Sequence, residues 1–184
     1  MKILRQSLRQ QRSAIQPRDR EELAKTLAFQ VKRGAKVQYK HKISLYLEND
    51  GEINPKYVQK WLESQGIYPY LPVLVGKSLK FARIGNKFKK NRFGIDEPDT
   101  PTLLNASQMN IIFIPLVGFD NNKNRIGMGG GFYDRTLSFK KHQIQHSNPK
   151  LIGLAFDCQK VDKIITQEWD VPLDKVITPT TIYR

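Results

Sequence analysis

The chain carries a single cysteine, Cys158, so no disulfide can form within it. Neither a CxxC pair nor a histidine-rich stretch accompanies that cysteine, as a zinc site would require. Histidine is nearly as scarce. His41, His142 and His146 have no serine, cysteine or acid at a spacing that points to a nucleophile and its base, and read as packing or surface residues. Long apolar runs are missing as well. Nothing approaches the 18 or so residues of a membrane helix, and the basic stretch Met1 to Arg12 is not followed by a secretory apolar segment. The expectation is a cytoplasmic protein with no membrane partner. Acidic residues are few, 17 against 31 basic ones, which leaves a formal charge of +14.

Hydrophobic residues make up 39 % and charged ones 26 %, ordinary globular usage that excludes a disordered chain. A chain of 184 residues suits one domain, spanning 1–184, that hides roughly 70 % of its unfolded surface. The basic surplus predicts attraction to an anion, and nucleic acid, acidic lipid, a nucleoside triphosphate or a polycarboxylate would all satisfy it. As a nucleic-acid-binding module the chain lacks a recognition motif, and its lysines are scattered instead of interleaved with aromatics.

Periodicity predicts an amphipathic helix from Gln16 to Gly34 through Leu23, Leu27 and Val31. A strand, Lys42 to Leu47, and a polar turn, Glu48 to Glu52, come next. A second helix is expected with Asn54 as N-cap and Pro55 at the first helical position, ending at Gly66. A short strand follows, Ile67 to Leu71. The stretch from Gly76 to Ala106 reads mainly as loop with one strand near Leu79 to Ile84. Ile111 to Val117 (IIFIPLV) is the strongest strand, an apolar run of the kind buried on both faces of a parallel sheet. A helix from Phe132 to about Lys141 and strands Leu151 to Phe156 and Lys175 to Ile177 complete an alternating pattern. That pattern implies a three-layer α/β/α domain with a mostly parallel sheet and right-handed crossovers.

The chemistry concentrates in Pro115 to Leu137, PLVGFDNNKNRIGMGGGFYDRTL. A buried strand passes through a polar turn into four glycines within five residues, then into a helix. Glycines let backbone N–H groups converge on a phosphate, and the helix start adds its dipole. Arg125 can add a full positive charge. Asp134 is placed to meet a divalent cation bridging those phosphates, since Mg²⁺ usually takes only one or two carboxylates. Read alone, the glycines serve a tight turn equally well, with Asp134 capping the helix. Neither the Walker ending Gly-Lys-Ser/Thr nor a first-strand dinucleotide fingerprint is present.

Arg125-Ile-Gly-Met-Gly-Gly-Gly-Phe-Tyr-Asp134 resembles the signature of the 5-formyltetrahydrofolate cyclo-ligase (methenyltetrahydrofolate synthetase) family. Phe113 to Asp120, Phe93-Gly-Ile-Asp-Glu-Pro98, Leu47 to Glu52, Tyr70-Leu-Pro-Val73 and the tail through Asp157-Cys158-Gln159 to Glu168-Trp-Asp-Val-Pro-Leu-Asp174 extend the likeness over nearly the whole chain. The tail is similar to bacterial members in particular. The resemblance implies a Rossmann-like fold of the NagB/RpiA/CoA transferase kind. It also implies an enzyme that converts 5-formyltetrahydrofolate, in polyglutamylated form, and ATP to 5,10-methenyltetrahydrofolate, ADP and phosphate; a monomer is the separate expectation.

By position, the resemblance makes Arg125 and Asp134 catalytic. It has Lys2, Arg5, Arg125, Ile126, Gly127, Met128, Gly129, Gly130, Gly131, Phe132 and Tyr133 contact ATP. Leu47, Glu52 and Met128 to Phe132 meet the folate, and Asp134 and Asp174 share Mg²⁺. Lys2 lies three residues before Arg5, where the family spacing is four. Arg9 and Arg12 share a helix face with Arg5 and suit phosphate contact or a solvated basic face equally. Two other readings stand beside the enzyme: a basic nucleic-acid-binding protein, and an inactive relative that binds folate and ATP without turnover.

Overall fold

The computed structural model describes residues 1–142 and 148–184; His146 and the side chain of His142 lie outside the described residues. The chain opens with two helices, α1 (Lys2–Ser13) and α2 (Pro17–Gly34), and reaches the short strand β1 (Ile43–Ser44) before α3 (Lys56–Ser64). Strands β2 (Tyr70–Val75), β3 (Ser78–Arg83), β4 (Phe88–Lys90) and β5 (Asp96–Pro98) follow. After them come β6 (Ile111–Pro115), β7 (Gly118–Phe119), β8 (Arg125–Ile126) and α4 (Phe132–Leu137). The chain ends on β9 (Lys150–Leu154), β10 (Lys175–Ile177) and β11 (Ile182–Tyr183).

Seven strands form the main sheet in the order β11-β10-β9-β6-β1-β2-β3. The inner five, β10 to β2, are mutually parallel, and the two edge strands run antiparallel to their neighbours. Alternation of side chains across β6 explains its continuous apolar run. Ile111 and Phe113 pack on one face with Leu27 and Val31 of α2 and Val58 and Leu62 of α3. Ile112 and Ile114 pack on the other with Leu137 of α4 and Phe119 of β7. Each such side chain contributes about 1.5–3 kcal/mol of burial free energy. The three-layer α/β arrangement expected of the sequence is therefore present, with a mostly parallel sheet.

Helix α2 starts as expected, with Gln16 extended as N-cap, Pro17 at the first helical position and Lys32 and Arg33 in the last turn, where the helix dipole favours cations. The second helix begins one residue later than its cap signal suggests. Pro55 is the N-cap, and the Asn54 side chain instead accepts the Lys56 N–H at 2.9 Å.

Three expectations change. The strand Lys42 to Leu47 pairs only at Ile43–Ser44, because the chain then leaves the ladder and carries Tyr46 and Leu47 into a cleft. The segment Gly76 to Ala106, expected to be mainly loop with one strand, carries that strand as β3 and a hairpin besides. Ser78–Arg83 pairs along all of β2, and β4 and β5 form a hairpin. Its turn is stabilised by Asn91, whose Oδ1 accepts the N–H groups of Phe93 and Ile95, and by Gly94 at φ 74°. The helix after the glycines stops at Leu137, and a 3₁₀ stretch continues to His142.

Candidate active site

A cleft of about 1220 Å³ opens where the chain leaves the carboxyl ends of β1 and β6, the usual ligand position in an open parallel sheet. Strand order places the pieces. Because β6 lies between β9 and β1, the segment leaving β6 sits between the segment leaving β1 and the segment leaving β9. The first of these carries the glycines, the second Leu47 and Glu52. The cleft exceeds the 300–1,000 Å³ typical of one small ligand, so two ligands fit side by side.

The glycine loop hangs from the β7–β8 hairpin. Buried Asp120 organises that hairpin: Oδ1 accepts the N–H groups of Asn122 and Asn124 at 3.0 Å, and Oδ2 accepts that of Ile164 at 3.0 Å. Gly129 (φ 97°) and Gly131 (φ 64°) occupy left-handed backbone that side chains avoid. A Cβ on Gly130 would come within 2.6 Å of the Phe132 ring, so any other residue there would displace that ring. Gly127 has nothing within 4 Å of where a Cβ would point, so the loop is open on that side. Arg5 of α1 donates from Nε to the Gly127 carbonyl at 2.8 Å, and its guanidinium lies over Gly129.

Arg125 is nearly buried and pairs with Asp134 at 2.5 Å, while also donating to the Val171 carbonyl at 3.4 Å. The pair uses Oδ1 of Asp134. The carboxylate is 23 % exposed, enough for its second oxygen to reach an ion in the cleft. Helix α4 has only six residues, so the loop N–H groups and the two arginines supply most of the positive field, not the macrodipole.

On the wall formed by the chain leaving β1, Leu47 is half-buried and Glu52 is 8 % exposed. Burial pushes the Glu52 carboxyl up to about 7, against the Arg12 charge and an Asn49 N–H at 3.3 Å; the neighbouring Asp50 and Glu48 charges add to the rise. Tyr133 faces the same carboxylate. Burial first, and then the Glu52 charge, push its hydroxyl well up, so it stays protonated and can donate. The Tyr46 hydroxyl, raised for the same reasons, donates to the Ile53 carbonyl at 2.7 Å.

The turn that presents Glu52 is clamped by arginines. Asp50 (φ 52°) and Gly51 (φ 73°) are both left-handed. Arg9 grips both oxygens of Asp50, and Arg12 donates to Asp50 Oδ2 at 2.6 Å and to the Asp50 carbonyl at 3.0 Å. Arg12 is wholly buried and also reaches the Leu116 carbonyl at 3.1 Å. Arg20 completes the clamp through the Gly51 carbonyl at 3.2 Å. Neither alternative read from the sequence describes Arg9 and Arg12: they are anchors of the Asp50 turn.

Arg5, Leu47, Glu52 and the whole run Arg125 to Asp134 line one cleft. Lys2 is exposed and does not line it. Nor does Asp174. That residue sits at the amino end of β10, where its carboxylate accepts the Leu151 N–H at 2.8 Å and pairs with Lys150 at 3.5 Å. The structure thus brings Asp134 to the cleft and leaves Asp174 outside it. Among the described residues no three His, Cys, Asp or Glu side chains gather as a metal cage. Cys158 is exposed, and the His41 ring accepts the Gln38 N–H in a surface turn. Sequence reasoning missed Tyr46, Phe93 and a patch around Trp169 among the lining residues. Large apolar side chains left exposed, Phe93 at 57 % and Trp169 at 64 %, are the structural signal.

Comparison with known proteins shows the family and the fold. The sequence profile of the 5-formyltetrahydrofolate cyclo-ligase family matches residues 1–179. The 5-formyltetrahydrofolate cyclo-ligase of Escherichia coli K12 is 35 % identical over 184 residues, covering 96 % of this chain and 99 % of that protein. That of Haemophilus influenzae is 39 % identical over 142 residues, covering 73 % and 74 %. Among solved structures, a 5,10-methenyltetrahydrofolate synthetase from Mycoplasma pneumoniae superposes with a TM-score of 0.72 at 26 % identity, covering 97 % of this chain and 98 % of that one. The Aquifex aeolicus 5,10-methenyltetrahydrofolate synthetase shares the fold, with a TM-score of 0.84 at 23 % identity over 100 % and 91 %.

Proposed function

Because the chain belongs to the 5-formyltetrahydrofolate cyclo-ligase family, we propose that its cleft closes 5-formyltetrahydrofolate to 5,10-methenyltetrahydrofolate while converting ATP to ADP and phosphate. One observation carries the reading. A glycine loop flanked by Arg5, Arg125 and Asp134 faces a buried carboxylate, Glu52, across a single cleft wide enough for both substrates.

An N-formyl carbonyl is a poor electrophile. Its oxygen therefore attacks the γ-phosphorus and ADP departs, giving a phosphorylated iminium carbon. The folate N10 then adds to that carbon and loses its proton, and the formyl oxygen leaves with phosphate. No step needs a covalent bond to the protein, and Ser138 of the cleft lining spends its hydroxyl proton on the Arg135 carbonyl at 3.1 Å. The chain's contribution is positioning and neutralising phosphate charge. Loop N–H groups and Arg5 hold the phosphates, and Arg125 adds charge once it shares Asp134. Glu52 accepts N–H donors of the pterin, with Leu47 against its face.

Asp134 fits Mg²⁺ held jointly with phosphate oxygens: it offers one carboxylate at the loop, and no cage competes among the described residues. When bound, the ion would neutralise phosphate charge. Asp174, tied to Leu151 and Lys150, is not carried into this site. The proposal extends to a monomeric, single-domain cytoplasmic enzyme with ATP and polyglutamylated folate as ligands. A single family profile spanning residues 1–179 supports the one-domain part.

The test is the near-ultraviolet absorbance of the methenyl product on mixing the protein with 5-formyltetrahydrofolate, ATP and Mg²⁺, with Asp134→Asn as control and circular dichroism to verify its fold. An ATP-dependent rise that the folded variant lacks is expected. A flat trace from folded wild-type protein that binds both ligands would replace the enzyme with the binding-only relative.

A further inference from the structure

The segment 164–173 forms the cleft wall on the side of the chain leaving β9, and its backbone is held at several points. Asp120 accepts the Ile164 N–H at 3.0 Å, and Asp170 and Gln167 exchange two hydrogen bonds at 2.8 and 3.0 Å. Lys141 donates to the Glu168 carbonyl, Arg125 to that of Val171, and the Leu173 N–H to the Lys123 carbonyl at 3.2 Å. On this pinned backbone two large apolar side chains are bare and line the cleft: Trp169, 64 % exposed, and Ile165, 76 % exposed. A bare ring on a rigid backbone beside an anion site is a stacking platform awaiting a flat partner.

Resting on the cyclo-ligase reading, we propose that Trp169 is the nucleobase platform of the ATP site, with Ile165 beside it and the neighbouring hollow receiving the ribose. Topology selects the base over the folate. The glycine loop lies between the Glu52 wall and the Trp169 wall. For the formyl oxygen to reach the γ-phosphorus, the γ end of the triphosphate must point toward Glu52, so the nucleoside end points the other way, toward Trp169. A second hollow of about 180 Å³ adjoins there. It shares Arg125, Gln167 and Asp170 with the cleft and adds Asn124, whose amide donates to Asp120 at 3.0 Å, with Thr166, Val171 and Pro172. Amide, hydroxyl and carboxylate groups of this kind suit the two hydroxyls of a ribose.

The experiment is calorimetric titration of wild-type, Trp169→Phe and Trp169→Ala proteins with ADP and, separately, with inorganic tripolyphosphate, which has no base. KM values for ATP and 5-formyltetrahydrofolate are measured alongside. Trp169→Ala is expected to weaken ADP roughly ten- to a hundredfold, as loss of one base–aromatic stack does. Trp169→Phe retains most of the affinity, and tripolyphosphate binds all three alike. Tryptophan fluorescence responds to ADP in the wild type and not in Trp169→Phe, because Trp61 packs against the core and does not line the cleft. ADP binding unchanged in Trp169→Ala, equal weakening of ADP and tripolyphosphate, or a rise confined to the KM of the folate would each overturn the assignment. Wild-type protein that binds neither ADP nor tripolyphosphate would overturn the ATP reading itself, a distinct result.

Discussion

Glu52→Gln should make the ligand-free protein more stable at pH 8 while weakening folate binding. The glutamate carboxyl rises from its ordinary 4.5 to about 7 on folding, chiefly through burial. A raised value means that the folded state holds the proton more tightly than the unfolded chain. Below pH 4.5 the group is neutral in both states and takes nothing from stability. Between pH 4.5 and 7 the unfolded chain ionises while the folded one resists, so stability falls through that window and stays lower above it. At about 1.36 kcal/mol per pH unit, the loss is on the order of 3 kcal/mol. The substituted amide would keep an oxygen for the Asn49 N–H and carry no charge to desolvate, so it recovers most of that difference. For a chain of this length the gain corresponds to a midpoint rise of roughly 6–12 °C. The assay is thermal unfolding of both proteins at pH 4 and pH 8. Their separation should be large at pH 8 and vanish at pH 4, since all other titrations cancel in the comparison. A Glu52→Gln protein that is equally or less stable than wild type at pH 8 would refute the idea that the cleft holds a desolvated carboxylate. In turnover, the wild-type KM for the folate should fall about tenfold from pH 6 to pH 8 as Glu52 ionises, and the variant should lack that component.

Gly127→Ala and Gly131→Ala should separate phosphate contact from loop strain. The first adds a methyl in open space, so its unfolding midpoint should match wild type while the KM for ATP rises; the second forces alanine to φ 64° and against Arg135 at 2.6 Å, and should cost about 1–3 kcal/mol in urea unfolding. Arg12→Met keeps the side-chain volume but leaves the Leu116 carbonyl without this donor and Asp50 with Arg9 as its remaining ion-pair partner, so a loss of about 3 kcal/mol by the same method is expected. In Asp134→Asn, turnover should stay absent at every Mg²⁺ concentration, while calorimetric ATP affinity measured without the ion changes little.

Legibility followed the range of the interactions involved. Signals that live within one segment survived: the apolar run that became β6, the helical periodicity and Gly34 stop of α2, and the glycine cluster with Asp134 one helical turn on. Elements set by pairing partners did not. The hairpin of β4 and β5 looks like loop because its residues are polar and basic, and what holds it is an Asn91 turn and the buried Glu97, which accepts the Leu74 N–H at 3.0 Å from another strand. Within the site, Arg125 and the glycines announce themselves by composition, and Glu52 only by resemblance. No pattern around Glu52 reveals its setting, because two of the groups that act on it, Arg12 and Tyr133, lie far from it in the chain.

Arg5, Arg9 and Arg12 show the same limit most sharply, since one helix face gives them three different fates. Their spacing of four and three residues states only that they look the same way. What they meet depends on long sequence separations: the glycine loop 122 residues away for Arg5, the Asp50 side chain 41 away for Arg9, and the Asp50 turn 38 away together with the Leu116 carbonyl 104 away for Arg12. Helix α1 thereby spans both halves of the cleft. One end touches the loop assigned to phosphate, and the other holds the turn that carries Glu52. A good part of the basic surplus along this helix is consumed inside the molecule, as ion pairs to Asp50 and bonds to carbonyls. The positive charge that matters to a polyanionic substrate is thus smaller and more local than +14 suggests, and at the loop it centres on Arg5, with Arg125 balanced by Asp134.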